Sequence, residues 1–257
     1  NGKPSALNCA LKHVRGEIVA VFDADSVPES DVLMRVARYF EDSSMVAVQG
    51  RVDAINREQN MLTKFISYEE AVRYETYIGG KDALKLFVPL TGSCYFIRRS
   101  VLDEVGGWDN DSLSEDMELT ARLTERGYRV KYASDVRCLQ ENPSTLAQLF
   151  RQRARWFRGC MEVGLKYGKL VKNLDRRSID AEVTLTGPFM FVPCLLGYAI
   201  GLYSLVKWAP LDPVSSVLAQ GAALFTAITL FIIGVALTSL TKPRRVANLL
   251  WLLFIYA

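Results

Sequence analysis

The chain has 257 residues, 31 Lys and Arg against 28 Asp and Glu, a formal charge of +3 and an apolar share of 50%. That balance excludes a disordered polymer, a collagen-like fibre and a small disulfide scaffold, and +3 is too little charge to imply a nucleic-acid partner. With His13 as its one histidine, the chain is a poor candidate for a histidine-based zinc site.

Elements follow in chain order. Ser5 to Val14 carries Ala6, Leu7, Ala10, Leu11 and Val14 at helical spacing. Glu17 to Phe22 is a continuous apolar run, the pattern of a strand buried in a parallel sheet, and it ends in Asp23-Ala24-Asp25. Pro28, Glu29 and Ser30 predict a helix opening there and running to about Glu41. Ser44 to Val48 predicts a strand, Asn60 to Leu84 a long helix, and Leu86 to Phe96 a strand interrupted by Thr91-Gly92-Ser93. Arg99 to Val105 and Ser114 to Arg126 predict helices, Tyr128 to Tyr132 a strand, and Ser144 to about Leu170 a helix rich in Arg and aromatics. Strand, helix, strand in this order predicts an α/β domain.

Charge then almost vanishes. Residues 183–257 hold only Lys207, Asp212, Lys242, Arg244 and Arg245. Val183 to Val206 and Pro213 to Thr241 are uncharged and exceed the roughly 20 residues that cross a bilayer, and Val246 to Ala257 begins a third such run. Arg176 and Arg177 precede the first run and Lys242, Arg244 and Arg245 follow the second. The positive-inside rule therefore places residues 1–182 in the cytosol and the Lys207–Asp212 loop outside. The scattered cysteines Cys9, Cys94, Cys138, Cys160 and Cys194 read as free thiols in a reducing compartment. A start at Asn1 and an end inside an apolar run read as a piece of a longer membrane protein, without a signal peptide at its front.

Three short patterns carry chemistry. Asp23 and Asp25 leave a strand, where α/β sheets collect ligands, and paired hard oxygens suit Mg²⁺ beside a phosphate; a plain turn is the alternative. Ser114-Glu115-Asp116 opens a helix, with Ser114 as its cap or with a carboxylate poised as general base. Gln152, Arg155 and Trp156 group on one helix, offering a polar positioner, a phosphate partner and a stacking plate. The bland reading is a basic helix lying on an anionic membrane. Gln49 and Arg51 also leave a strand end, either toward a pocket or simply toward the surface.

In this order the patterns resemble the processive family 2 glycosyltransferases, which include cellulose, chitin, hyaluronan and poly-N-acetylglucosamine synthases. Gly2-Lys3-Pro-Ser-Ala-Leu-Asn8 is similar to the family's Gly-Lys-x-x-Ala-Leu-Asn segment. Thr91-Gly92-Ser93 is similar to its acceptor-side Gly-Ser loop, and Gly106-Gly-Trp108 followed by Ser114-Glu-Asp116 to the stretch ending in Thr-Glu-Asp. Ceramide glucosyltransferases, which add one sugar to a lipid, carry a motif like Gln152-x-x-Arg155-Trp156 as well.

The resemblance implies a GT-A-like nucleotide-sugar fold followed by transmembrane helices. It implies a glycosyltransferase domain over residues 1–142, amphipathic interface helices over 143–182 and membrane helices over 183–257. The family's first strand, which ends in a further nucleotide-binding Asp, would precede Asn1, so the donor site is expected to be incomplete in this segment, which alone would be inactive. The implied reaction is inverting transfer of a hexose or N-acetylhexosamine from a nucleotide-diphosphate donor, which the resemblance implies to be a UDP-sugar, to a β-linked polysaccharide, or alternatively of one sugar to a lipid. Asp116 is the implied base. Lys3, Asp23, Asp25 and Arg155 fall on the donor side, and Asp23 and Asp25 hold Mg²⁺ or Mn²⁺. Thr91, Gly92, Ser93, Glu115, Gln152 and Trp156 fall on the acceptor side. The catalytic domain is expected on the cytosolic face of the plasma membrane.

Overall fold

The apolar run Ile18–Val21 forms strand β1, with Val19 and Val21 buried. Its sheet has the order β1-β4-β3-β5-β2, where β2 is Val27–Pro28, β3 Ala47–Ala54, β4 Tyr95–Arg98 and β5 Val130–Gln140. In this computed structural model the chain is described over residues 2–167, 175–207 and 211–240. Among the described residues only β3 and β5 pair in parallel; β1–β4, β3–β4 and β2–β5 are antiparallel. The sheet is therefore mixed rather than parallel. β1 lies at its edge, with Val19 and Val21 buried and Ala20 exposed, so its apolar run does not mark a strand buried on both faces.

Helix α1 spans Lys3–Leu11 and α2 spans Val32–Tyr39. Pro28 does not open α2. It lies in β2 opposite Cys138, an edge position that tolerates a residue without an N–H. Asn60 and Thr63 form a reciprocal capping box for α3, Met61–Ala71. The predicted long helix then passes through a π-helical stretch, Val72–Ile78, into α4, Gly79–Ala83. π-turns inside helices occur often at functional sites.

Leu86 to Leu90 is not a strand. Lys85 takes a positive φ of 60°, and two backbone donors are claimed by side chains: Phe87 N–H by Asp180 Oδ2 at 3.0 Å and Leu90 N–H by Thr120 Oγ1 at 2.9 Å. A segment whose donors are taken this way has none left for a ladder. β5, by contrast, extends well beyond the predicted Tyr132. A bulge after Gly50 shifts its register with β3 and lets it continue to Gln140.

Helices α5 (Arg99–Glu104), α6 (Glu115–Glu125), α7 (Leu146–Tyr167) and α8 (Arg176–Thr186) complete the first compact unit, which ends at Thr186. Its core centres on Ala47, Val48, Tyr95, Phe96, Ile97 and Leu119, all fully buried.

The second unit begins at Gly187. A 3₁₀ turn at Gly187–Met190, carrying Pro188, interrupts the uncharged run before α9, Phe191–Lys207; α10 spans Pro213–Leu240. Gly197 brings these two helices together: a Cβ there would lie 2.4 Å from the Leu218 carbonyl oxygen and 2.9 Å from Ala222 Cβ. Tyr198 donates its hydroxyl to the Ala222 carbonyl at 3.1 Å. Arg176–Lys207 and Pro213–Leu230 are long and apolar enough to cross a membrane, by length and composition. Val246 to Ala257 and the Lys242–Arg245 loop lie outside the described residues, as does part of Lys207–Asp212.

Candidate active site

Five chain segments converge at the carboxyl end of β1. Lys3, first residue of α1, reaches Asp23 Oδ1 at 2.7 Å, Glu115 Oε1 at 3.0 Å and the Gly92 carbonyl at 2.6 Å. Burial works against the ammonium, yet Glu115 and Asp23 together outweigh it and hold the Lys3 pKa above its ordinary value. The α1 end is fixed by Asn8, which donates to the Trp108 carbonyl at 2.7 Å and accepts from the Trp108 backbone N–H at 2.9 Å. Trp108 in turn donates its indole N–H to the buried Tyr95 hydroxyl at 2.7 Å.

Asp23 and Asp25 are joined by a residue that the sequence did not single out. Gln140, at the end of β5, donates Nε2 to Asp23 Oδ2 at 3.3 Å and to Asp25 Oδ1 at 3.0 Å. One amide spanning both carboxylates keeps them close, with hard oxygens grouped beside a cavity. Among the described residues no three His, Cys, Asp or Glu side chains gather as a metal cage. Two clustered carboxylates without a third fit Mg²⁺ or Mn²⁺ shared with diphosphate oxygens, the usual way such an ion is held.

The Thr91-Gly92-Ser93 loop is tied on every side. Gln49 is fully buried, not at a pocket. Its Oε1 accepts the Thr91 N–H at 2.9 Å and its Nε2 donates to the Ser93 carbonyl at 3.0 Å. Ser93 Oγ accepts the Asp23 N–H at 3.1 Å and lies 2.7 Å from Ser26 Oγ. Thr91 Oγ1 lies 2.9 Å from the hydroxyl of Tyr74, which projects from the π-helical stretch. Arg51 is engaged with Asp53 and Glu75. Gly92 has φ +86°, and a Cβ there would sit 3.4 Å from Asp116 Oδ2, so this loop lies directly against that carboxylate.

Asp116 lies in the first turn of α6. Ser114 occupies the N-cap position but makes no side-chain cap; its hydroxyl donates to Asp116 Oδ1 at 2.9 Å instead. Burial, followed by the charge of Glu115, pushes the Asp116 pKa up, against the Met117 N–H, the Ser114 hydroxyl and Lys3. Glu115 is buried, its side chain 9% exposed, and turned to Lys3. Helix α7 meets this turn through Gly159, where a Cβ would stand 2.8 Å from Ser114 Cβ.

Further along α7, Gln152 and Arg155 line a cavity of about 600 Å³ together with Asp25, Glu141, Asn142 and Arg151. Trp156 is 37% exposed and lies under two guanidinium groups, Arg153 at 4.8 Å and Arg73 at 5.8 Å from its ring centre. Arg153 is held by Glu69 at 2.7 Å. Beside Glu69, Glu70 accepts from Asn142 Nδ2 at 2.9 Å, and burial pushes its pKa up to about 7. Lys3, Asp23, Gly92, Ser93, Glu115 and Asp116 thus form one cluster. Asp25, Gln152 and Arg155 form the adjoining cavity wall, and Trp156 stands beyond them against Arg73 and Arg153.

Comparison with known proteins identifies the family. The description "Glycosyl transferase family group 2" matches residues 18–257. A β-monoglucosyldiacylglycerol synthase of Trichormus variabilis is 34% identical over 181 residues, covering 66% of this chain and 36% of that protein. A poly-β-1,6-N-acetyl-D-glucosamine synthase of Staphylococcus aureus is 31% identical over 172 residues, 64% of this chain and 40% of that protein. The chain thus spans well under half the length of these curated relatives. A mannosyltransferase from Pyrobaculum calidifontis, solved with GDP-Man and Mn²⁺, superposes with a TM-score of 0.56 at 22% identity, covering 99% of this chain and 65% of its own; it shows the same GT-A-like fold. With a match over residues 18–257, the chain belongs to glycosyl transferase family group 2.

Proposed function

We propose that the protein of which this chain is part transfers a sugar from a nucleotide-diphosphate donor to an acceptor hydroxyl, with inversion, at the cytosolic face of a membrane. The observation that carries this is the meeting of a half-buried carboxylate, Asp116, with the Asp23–Asp25 pair, next to a cavity walled by Arg155.

Asp116 accepts the acceptor hydroxyl proton. Hydrogen bonds from Ser114 and Met117 aim its carboxylate, and the raised pKa makes it a stronger base than an ordinary aspartate. The acceptor oxygen bonds the anomeric carbon as the bond from that carbon to the diphosphate breaks, and the electron pair leaves with the diphosphate. Arg155 faces the negative charge that builds there. Asp25, which lines the cavity, would hold a divalent ion with Asp23 beside it, and such an ion would supply charge neutralisation to the diphosphate. Trp156 offers its indole to the acceptor sugar. Apolar helices α9 and α10 anchor the protein in the bilayer, with the Lys207–Asp212 loop on the far side.

A growing β-linked polysaccharide is the acceptor we favour, because Trp156, 37% exposed, offers an aromatic plate to a sugar. Transfer of one sugar to a lipid is the second reading, favoured by the diacylglycerol-linked product of the Trichormus relative. Radiolabelled UDP- and GDP-sugars supplied with Mg²⁺ or Mn²⁺ to the full-length protein in lipid test both: a polymer supports the first, a single added hexose the second, and no transfer refutes the activity. Asp116→Asn is expected to lower turnover by about 10²-fold or more while nucleotide binding survives.

A further inference from the structure

The Lys3 ammonium has three N–H donors, and three protein acceptors surround it: Asp23 Oδ1 at 2.7 Å, the Gly92 carbonyl at 2.6 Å and Glu115 Oε1 at 3.0 Å. A phosphate could bind it only by displacing one of them. Those acceptors come from the end of β1, the Thr91–Ser93 loop and the first turn of α6, the three segments that enclose Asp116. Gly92 is the critical one. Its backbone takes a left-handed φ of +86°, and a Cβ there would stand 3.4 Å from Asp116 Oδ2 and 3.6 Å from Lys3 Nζ, so this peptide lies beside both groups and its placement bears on how the carboxylate is presented. Lys3 grips that peptide by its carbonyl. Asn8, about one and a half helical turns away, fixes α1 against Trp108, so the grip has a firm base.

We propose that Lys3 is a positioning residue for the base: it ties Asp23, Gly92 and Glu115 into one frame round Asp116 and does not itself hold the donor phosphate. This rests on the reading of Asp116 as the base. It also gives Glu115 a part distinct from acceptor binding, that of a buried partner keeping the ammonium in place.

The test is made on the full-length protein in lipid. Turnover is measured at saturating donor, and UDP and GDP binding is titrated in the presence of Mn²⁺, for wild type, Lys3→Met, Asp116→Asn and the double variant. Lys3→Met is expected to lower kcat about tenfold or more, with the diphosphate Kd within about threefold of wild type. The double variant is expected to be no slower than Asp116→Asn alone, because a frame has nothing left to position once the base is gone. A tenfold weaker diphosphate Kd with kcat kept makes Lys3 a donor contact and overturns the proposal, and so do fully multiplicative effects. Near wild-type turnover in Asp116→Asn alone is a different result, and removes the base reading itself. If Lys3→Met loses its cooperative unfolding transition, Lys3→Gln, one atom shorter than Lys but with two N–H donors, is judged by the same criteria.

Discussion

Glu70 carries a charge that the fold disfavours, and replacing it with Gln should expose the cost as a function of pH. Burial raises its pKa from the usual 4.5 to about 7; Glu69 and Asp53 push the same way, while Asn142 Nδ2 and Arg73 oppose them. Below pH 4.5 the group is protonated in both folded and unfolded chains and costs nothing. Between 4.5 and 7 the unfolded chain is ionised while the folded one keeps its proton, so stability falls as pH rises. Above 7 the cost levels off. The difference between 4.5 and about 7, at 1.36 kcal/mol per unit, sets a ceiling of ~3 kcal/mol; a half-buried side chain stays below it because water still reaches the group. Gln keeps an oxygen for Asn142 to donate to, so Glu70→Gln loses the charge and not the contact. Chemical unfolding of both proteins from pH 4 to pH 8 should show nearly equal stability at the acid end and a gap in favour of Gln that opens toward pH 8. A gap that stays flat across that range refutes the reasoning.

Other expectations follow from single contacts. Gly159→Val places a side chain where Ser114 already stands, and should cost ~1–3 kcal/mol and lower turnover more than nucleotide binding, read by unfolding and by titration. Activity should disappear in EDTA and return with Mg²⁺ or Mn²⁺, and Asp25→Asn should demand more metal for half-maximal rate; full activity in EDTA removes the ion from the site. Gly197→Leu should separate α9 from α10, because no side chain fits 2.4 Å from the Leu218 carbonyl, and protease sensitivity of the second unit in detergent should rise.

What the sequence disclosed depended on how local each signal was. Lys3, Asp23, Gly92, Ser93 and Asp116 were each legible from a short motif, and they do meet in space. Gln140 was not, because it sits at the far end of a strand whose length is set by a bulge opposite Gly50, a non-local event. Gln49 read as either a pocket or a surface position after a strand, yet it is buried and its amide is consumed by the loop across from it. The apolar run Leu86–Leu90 looked like a strand because periodicity reports burial, not which group takes the backbone donors; Asp180 and Thr120 take them. The mixed direction of the sheet was illegible for the same reason: β4 enters between β1 and β3 from 40 residues or more downstream of both.

Gly159 has a mechanical consequence. Where two helices touch through side chains, rotamers absorb small displacements. At Gly159 there is no side chain to yield, and α7 bears on Ser114 almost backbone to backbone. Gln152, Arg155 and Trp156 ride on the same rigid rod, within two turns of that contact. A shift of α7, whether by an anion drawn to Arg155 or by a surface under its exposed Phe150, would therefore bear directly on Ser114, the residue whose hydroxyl holds Asp116.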